Sequence, residues 1–211
     1  MSNNDVGEFY LSLSGSVESG NFYEIGNAYC KYAYQFGQDW SIVAGIEEGL
    51  TQMSKCSNDS RRLAIWNFPL DIAFKSTSPH GWPQLLLSIY GLDSFGHDVI
   101  QGYGCCRLPP LTGRHEKRIA VYVPESSSLV QQFAAWITGR RPELVDIGIL
   151  ATGEGRECEC PSTIYCFALV SLIISLIAVT RMRVQGYIDV TFNVVLKDFF
   201  QLGYDNGQLV R

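Results

Sequence analysis

Asp93 and Asp98 stand in a loop that follows the apolar run Leu85-Leu86-Leu87-Ser88-Ile89-Tyr90, and paired carboxylates there could offer oxygens to a hard divalent cation. Calcium takes about six to eight oxygen ligands. Asp39 and Asp71 are too isolated in the sequence to be assigned as the missing ones, so Asp93 and Asp98 read as turn residues and no metal site is expected. His80, His97 and His115 sit among Gly, Pro, Ser or charged residues with no nucleophile beside them, as solvated loop histidines do. None of the patterns G-x-S-x-G, H-E-x-x-H or G-x-x-x-x-G-K-[ST] occurs. Gly102-Tyr103-Gly104 and Gly153-Glu154-Gly155 lack the strand-turn-helix setting of a phosphate cradle and read as bulges or tight turns. Neither an enzyme nor a bound cofactor is expected.

Thiol chemistry fares no better. The seven cysteines, Cys30, Cys56, Cys105, Cys106, Cys158, Cys160 and Cys166, are odd in number and form no C-x-x-C pair, which supports neither a disulfide framework nor a zinc ribbon. Cys105 and Cys106 are adjacent, so a strand sends them to opposite faces and keeps them from sharing an ion.

The elements that must position these groups are short strands. From Phe9 to Val17 the pattern FYLSLSGSV alternates apolar and small polar residues, as a strand with one wet face does. Further strands are predicted over Tyr29 to Phe36, Gly49 to Ser54, Leu63 to Phe74, Leu85 to Tyr90, Val99 to Leu108, Lys117 to Val123 and Met182 to Leu196. Pro69 cannot donate to a ladder, so Trp66-Asn67-Phe68-Pro69-Leu70 predicts an edge or a bulge. One stretch breaks the rhythm. Ser126-Ser127-Ser128 precedes Leu129, Phe133 and Trp136 at i, i+4 and i+7, with Gly139 beyond, which predicts a capped amphipathic helix near Ser127 to Thr138. Regular short strands with one helix in a long connection predict a mainly β, two-sheet antiparallel sandwich.

Charged residues make up 18% and the formal charge is −5, so there is no basic footprint to favour nucleic acid. The start MSNNDVGEFY lacks a basic, apolar leader, and a reducing cytosol is the expected setting. From Ile164 to Val179 the chain is uncharged and almost wholly apolar. Sixteen helical residues span only about 24 Å, short of the ~30 Å hydrocarbon core.

Several segments together carry a resemblance. The strand-loop-strand from Leu85 to Gly104 resembles the C2 domain, with Gly91 standing where a calcium-binding C2 loop would offer an earlier Asp. Trp66-Asn67-Phe68-Pro69, Gly113-Arg114-His115, Tyr122-Val123-Pro124-Glu125-Ser126, Thr138-Gly139-Arg140-Arg141-Pro142-Glu143, Gly153-Glu154-Gly155-Arg156-Glu157, Gln185-Gly186-Tyr187, Phe192-Asn193-Val194 and Leu202-Gly203-Tyr204-Asp205 resemble the B9 domain proteins. The resemblance implies a C2-like sandwich without enzymatic activity that acts as a scaffold in the Meckel-syndrome complex at the ciliary transition zone. It further implies other B9 domain proteins and transmembrane transition-zone proteins as partners, and cytoplasm at the cilium base as location. Arg140, Arg141 and Glu143, just past the predicted helix, are the expected partner-binding residues, because a turn presents planar guanidinium groups to a partner's carboxylates. A lipid-binding module touching anionic membrane through Arg114, Lys117, Arg118, Arg140 and Arg141 is the alternative.

The expected organisation is an N-terminal tail at 1–8, a B9 domain at 9–200 and a C-terminal tail at 201–211. Within the domain, residues 158–178 depart from the family pattern, which resumes at Val179-Thr180-Arg181. Their residue types are those of T-rich codons, so the segment reads as a retained intron or isoform insert in preference to a membrane anchor.

Overall fold

The computed structural model describes residues 7–23, 25–92, 96, 98–125 and 181–204. Among the described residues ten strands run in chain order as β1 (Phe9–Phe22), β2 (Asn27–Gln35), β3 (Trp40–Gly45), β4 (Glu48–Leu50), β5 (Ser54–Lys55), β6 (Leu63–Ser76), β7 (Gln84–Leu92), β8 (Asp98–Arg107), β9 (Gly113–Glu125) and β10 (Arg181–Lys197). All pairings are antiparallel, in the order β3-β6-β1-β10-β9-β8-β7-β2-β4, with β5 also on β2.

The path is continuous, yet it is a sandwich. β8 and β9 meet at a single paired position, Tyr103 with Tyr122, so one layer ends at β9 and the other begins at β8. At the far side the two terminal strands, β3 and β4, are joined by Ile46 and Glu47 alone. Three Cα steps of 3.80 Å hold Gly45 and Glu48 within about 11 Å, close to the ~10 Å spacing of stacked sheets. The link is anchored where the Tyr34 amide donates to the Glu47 carbonyl at 3.0 Å. Gly45 is required there. Its φ is +104°, and a Cβ would lie 2.5 Å from the Asp71 carbonyl oxygen.

Between the layers, inward residues of both form one core, with Phe9, Phe22, Phe74, Phe192, Leu13, Leu85, Leu87 and Ile89 fully buried. At one end aromatic rings interlock: Phe9 lies 5.3 Å from Trp40, edge to face, and 4.9 Å from Phe199, while Trp40 lies 5.1 Å from Trp82. Each buried indole N–H is satisfied by a carbonyl, Trp40 by His80 at 2.7 Å, Trp82 by Leu108 at 3.0 Å and Trp66 by Ala28 at 3.1 Å. Past Lys197 a single 3-10 turn, Phe200–Leu202, follows. Leu202 packs on the core and Tyr204 stacks on Phe199 at 5.0 Å, so packing continues beyond residue 200.

Seven of the eight predicted strands appear, most of them longer than the alternation suggested; the run predicted over Gly49 to Ser54 is instead two short strands, β4 and β5, with residues 51–53 outside either, and β3 was missed. β3 escaped notice because a bulge between Ile42 and Ala44 breaks its period and leaves Val43 exposed. The Pro69 expectation holds in both its forms. β3 pairs with β6 only from Ile72 to Ser76, so Pro69 has a free flank, and the register with β1 shifts between Val17 and Ser19, opposite Trp66 and Asn67. Asn67 there takes φ +45°. The predicted helix near Ser127 to Thr138 and the apolar segment 158–178 lie outside the described residues. Among those that are described, no helix is long and apolar enough to cross a membrane.

Candidate functional site

The expected site residues fall into two sets. Arg140, Arg141 and Glu143 lie outside the described residues, as do Asp93 and His97. Asp98 opens β8 close enough to the Tyr29 hydroxyl for its charge to act on it. Burial first, then the Asp98 charge, raise the Tyr29 hydroxyl above its ordinary value. Tyr29 also stacks on Tyr90, its register partner, at 5.2 Å and 10°, so Asp98 serves a cross-strand aromatic pair. The sequence missed this grouping, because Tyr29 and Tyr90 become neighbours only through the register of β2 on β7.

His80 uses its carbonyl to accept from Trp40, and the His115 ring nitrogen Nε2 lies 2.9 Å from the Leu111 carbonyl. Among the described residues no group of three or more His, Cys, Asp or Glu could hold a metal. Cys106 enters the core while Cys105 faces the other way, its thiol 3.3 Å from Gln84 Oε1. The opposite-face reading of that pair is therefore correct. Cys30 is wholly buried, and desolvation pushes its thiol far above the ordinary range. Its amide donates to Thr51 Oγ1 at 2.9 Å, and that hydroxyl donates to the Gln52 carbonyl. Such a thiol is an inert core group.

A shallow cleft of about 550 Å³ opens between Asn27, Lys55, Cys56, Asn58 and Arg62. Its polar groups are largely spent on a turn. The Ser57 hydroxyl hydrogen-bonds Asp59 Oδ1, which also accepts the Arg62 amide at 3.2 Å, and the Arg62 guanidinium donates to the Tyr23 carbonyl at 2.7 Å. That hydroxyl holds the Asp59 carboxyl below its usual range against an opposing desolvation, with the Arg62 and Arg61 amides adding to the lowering. The turn stabilises itself, including the left-handed Arg62 at φ +46°.

Surface chemistry is more telling. Arg114 is paired with Glu116 at 3.0 Å, and Arg118 lies 3.5 Å from Asp189 and 5.1 Å from the centre of the Tyr187 ring. Two of the three basic residues on β9 thus already have acidic neighbours. By contrast, the segment that closes the sandwich exposes Val43, Ile46, Leu50 and Met53, with Ile46 at 66%, and exposed Ile65 joins it by donating its amide to Ser54 Oγ. Exposed large apolar groups gathered on one segment mark contact surfaces. The missed strand hid this one from the sequence reading.

Comparison with known proteins gives the family. A family model described as "Ciliary basal body-associated, B9 protein" matches residues 11–165. The chain is 47% identical over 199 residues to B9 domain-containing protein 1 of Mus musculus, covering 94% of this chain and 87% of that one, and equally to its Homo sapiens counterpart. It is 29% identical over 146 residues to B9 domain-containing protein 2 of Rattus norvegicus, covering 69% and 82%. Among solved structures, a C2 domain of plant Extended Synaptotagmin 1 aligns over 91% of this chain and 96% of its own at 10% identity and a TM-score of 0.39. A match spanning both layers of the sandwich, at nearly half identity over almost the whole chain, places it: this chain belongs to the B9 family of ciliary basal body-associated proteins.

Proposed function

We propose that the chain is a non-enzymatic scaffold of the ciliary transition zone, in the cytoplasm at the cilium base. In this reading it joins other B9 domain proteins and transmembrane transition-zone proteins in the Meckel-syndrome complex, which is needed for cilium assembly and limits exchange of membrane proteins with the plasma membrane. The observation that carries a contact function is the gathering of exposed apolar Val43, Ile46, Leu50 and Met53 on the one segment that closes the sandwich. Apolar anchors at such a surface supply most of the binding energy when a partner excludes water from them. Arg140, Arg141 and Glu143 add a charged arm that sets partner choice.

The test is co-purification with a second B9 domain protein, and localisation to the cilium base, for Ile46→Asp with Leu50→Asp and separately for Arg140→Glu with Arg141→Glu. Loss of both readouts in either pair, with unchanged thermal unfolding, supports the scaffold. Full assembly by both pairs sinks it. Salt-sensitive binding to anionic liposomes by the chain alone, abolished by the arginine pair, would favour the lipid-binding alternative.

A further inference from the structure

The two layers differ on their outer surfaces. On β7 and β8 the outward residues Leu86, Ser88, Ile100 and Tyr103 are only 2–6% exposed, and the dryness carries across the seam to outward Ala120 on β9, the adjoining edge of the other layer. None belongs to the core between the layers. No described element other than its sheet neighbours β7 and β9 packs appreciably on β8. A dry outer face in antiparallel sheet needs a cover, because a solvated face would alternate polar residues outward.

The geometry points to residues 126–139 as that cover, an amphipathic helix docked on the outer face of β7, β8 and β9 through Leu129, Phe133 and Trp136. Chain length and attachment favour this occupant. Glu125 and Arg181 are paired, so residues 126–180 leave and return at one point of the sheet edge. Tyr122, three residues before Glu125, is the partner of Tyr103 in the centre of the dry face. The four residues from Glu125 to Leu129 reach about 13 Å when extended. Dimensions also agree: the rows from Tyr90 to Leu86, dry at Ile100, Ser88, Tyr103 and Leu86 and half-buried at Tyr90 and Cys105, span about 13 Å of strand, and the stripe from Leu129 to Trp136 spans about 10 Å of helix. Gln131 and Gln132 give the helix a wet side, which an outer cover must have. The tract Ile164 to Val179 has almost none. Docking the helix also anchors Arg140, Arg141 and Glu143 close to a rigid flank of the sandwich.

The test reads the solvent access of Ser88→Cys in the full chain by maleimide labelling and peptide mapping, with native Cys30 as an internal report of core integrity. The expected result is labelling at least about tenfold slower than after adding Phe133→Glu and Trp136→Glu, while Cys30 stays unreactive throughout. Removing residues 158–178 should leave the introduced thiol protected. Protection that survives the two glutamates overturns the proposal. So does rapid labelling in the Ser88→Cys chain without the glutamates, which would assign the face to another protein, or labelling produced only by removing 158–178, which would assign it to the apolar tract. Should the glutamates also unmask Cys30, the fold has been lost and a double-mutant cycle decides. Urea midpoint losses of Ile100→Ala and Trp136→Ala that fall short of additivity together support contact, and strict additivity overturns it.

Discussion

The outer faces of the two layers are built from the same strand geometry and end in opposite states. On the layer of β1, β6 and β10, the row Asn193, Ser14 and Asp71 is exposed, and the next row holds Val195, at 57% exposure, beside exposed Ser12. On the other layer, Ser88 and Tyr103 form a row that is almost completely dry. The sequence carries the difference openly. β1 reads Phe-Tyr-Leu-Ser-Leu-Ser-Gly-Ser-Val, strict alternation after the first pair, whereas β7 reads Gln-Leu-Leu-Leu-Ser-Ile-Tyr. Alternation means one wet face, and an unbroken apolar run means two covered ones. The lesson is that a strand's pattern reports how many faces are buried, without saying what buries them.

The sharpest way to break this comparison is to put the same charge on each face. Leu86→Asp should cost about 3–5 kcal/mol, because it leaves an unpaired carboxylate where water is excluded, while Val195→Asp should stay within about 0.5 kcal/mol. Thermal denaturation of the two variants side by side measures it. Equal losses would mean that the face of β7 is open to solvent after all.

The inner face, common to both layers, should answer to alkali. Burial raises the Cys30 thiol and the Tyr34 hydroxyl above their ordinary values of 9.0 and 10.0. A raised folded value makes their contribution complete below the unfolded value, and it is lost as pH rises, since the unfolded chain releases protons that the fold retains. Urea stability should therefore fall above about pH 9, by up to about 1.4 kcal/mol per pH unit for a group as buried as Cys30. Cys30→Ala should flatten the first part of that slope. A stability profile level to about pH 11 would contradict the burial of both groups.

The smallest effect belongs to an exposed turn that neither face protects. Asp59 has a lowered value, so its contribution is present above the ordinary 3.8 and is lost as pH falls through the folded value. Below about pH 4 the turn from Ser57 to Arg62 should loosen, seen as faster exchange of the Arg62 amide, with global unfolding unaffected. Asp59→Asn should remove that pH dependence, and an Arg62 amide indifferent to acid in the parent chain would dismiss the turn as a local device.

Much of the molecule was determined by the sequence alone. The period-two pattern of Phe9 to Val17, the divergence of Cys105 and Cys106 and the break at Pro69 each follow from strand geometry acting on neighbours in the chain. Family membership was legible as well, because its motifs are local strings such as Val123-Pro124-Glu125-Ser126 and Thr138-Gly139-Arg140-Arg141-Pro142-Glu143. What tertiary structure decided was every relation between residues far apart. β3 became visible only through its pairing with β6, since its bulge erases the local period. Asp98 met Tyr29 only through the register of three strands. The exposed segment from Val43 to Met53 acquired its place because β3 and β4 are the two ends of one curled sheet, brought together by a two-residue link. Side-chain alternation is set by each strand's own backbone, but strand order, register and closure are set by which surfaces can be buried together, and that is a property of the whole chain.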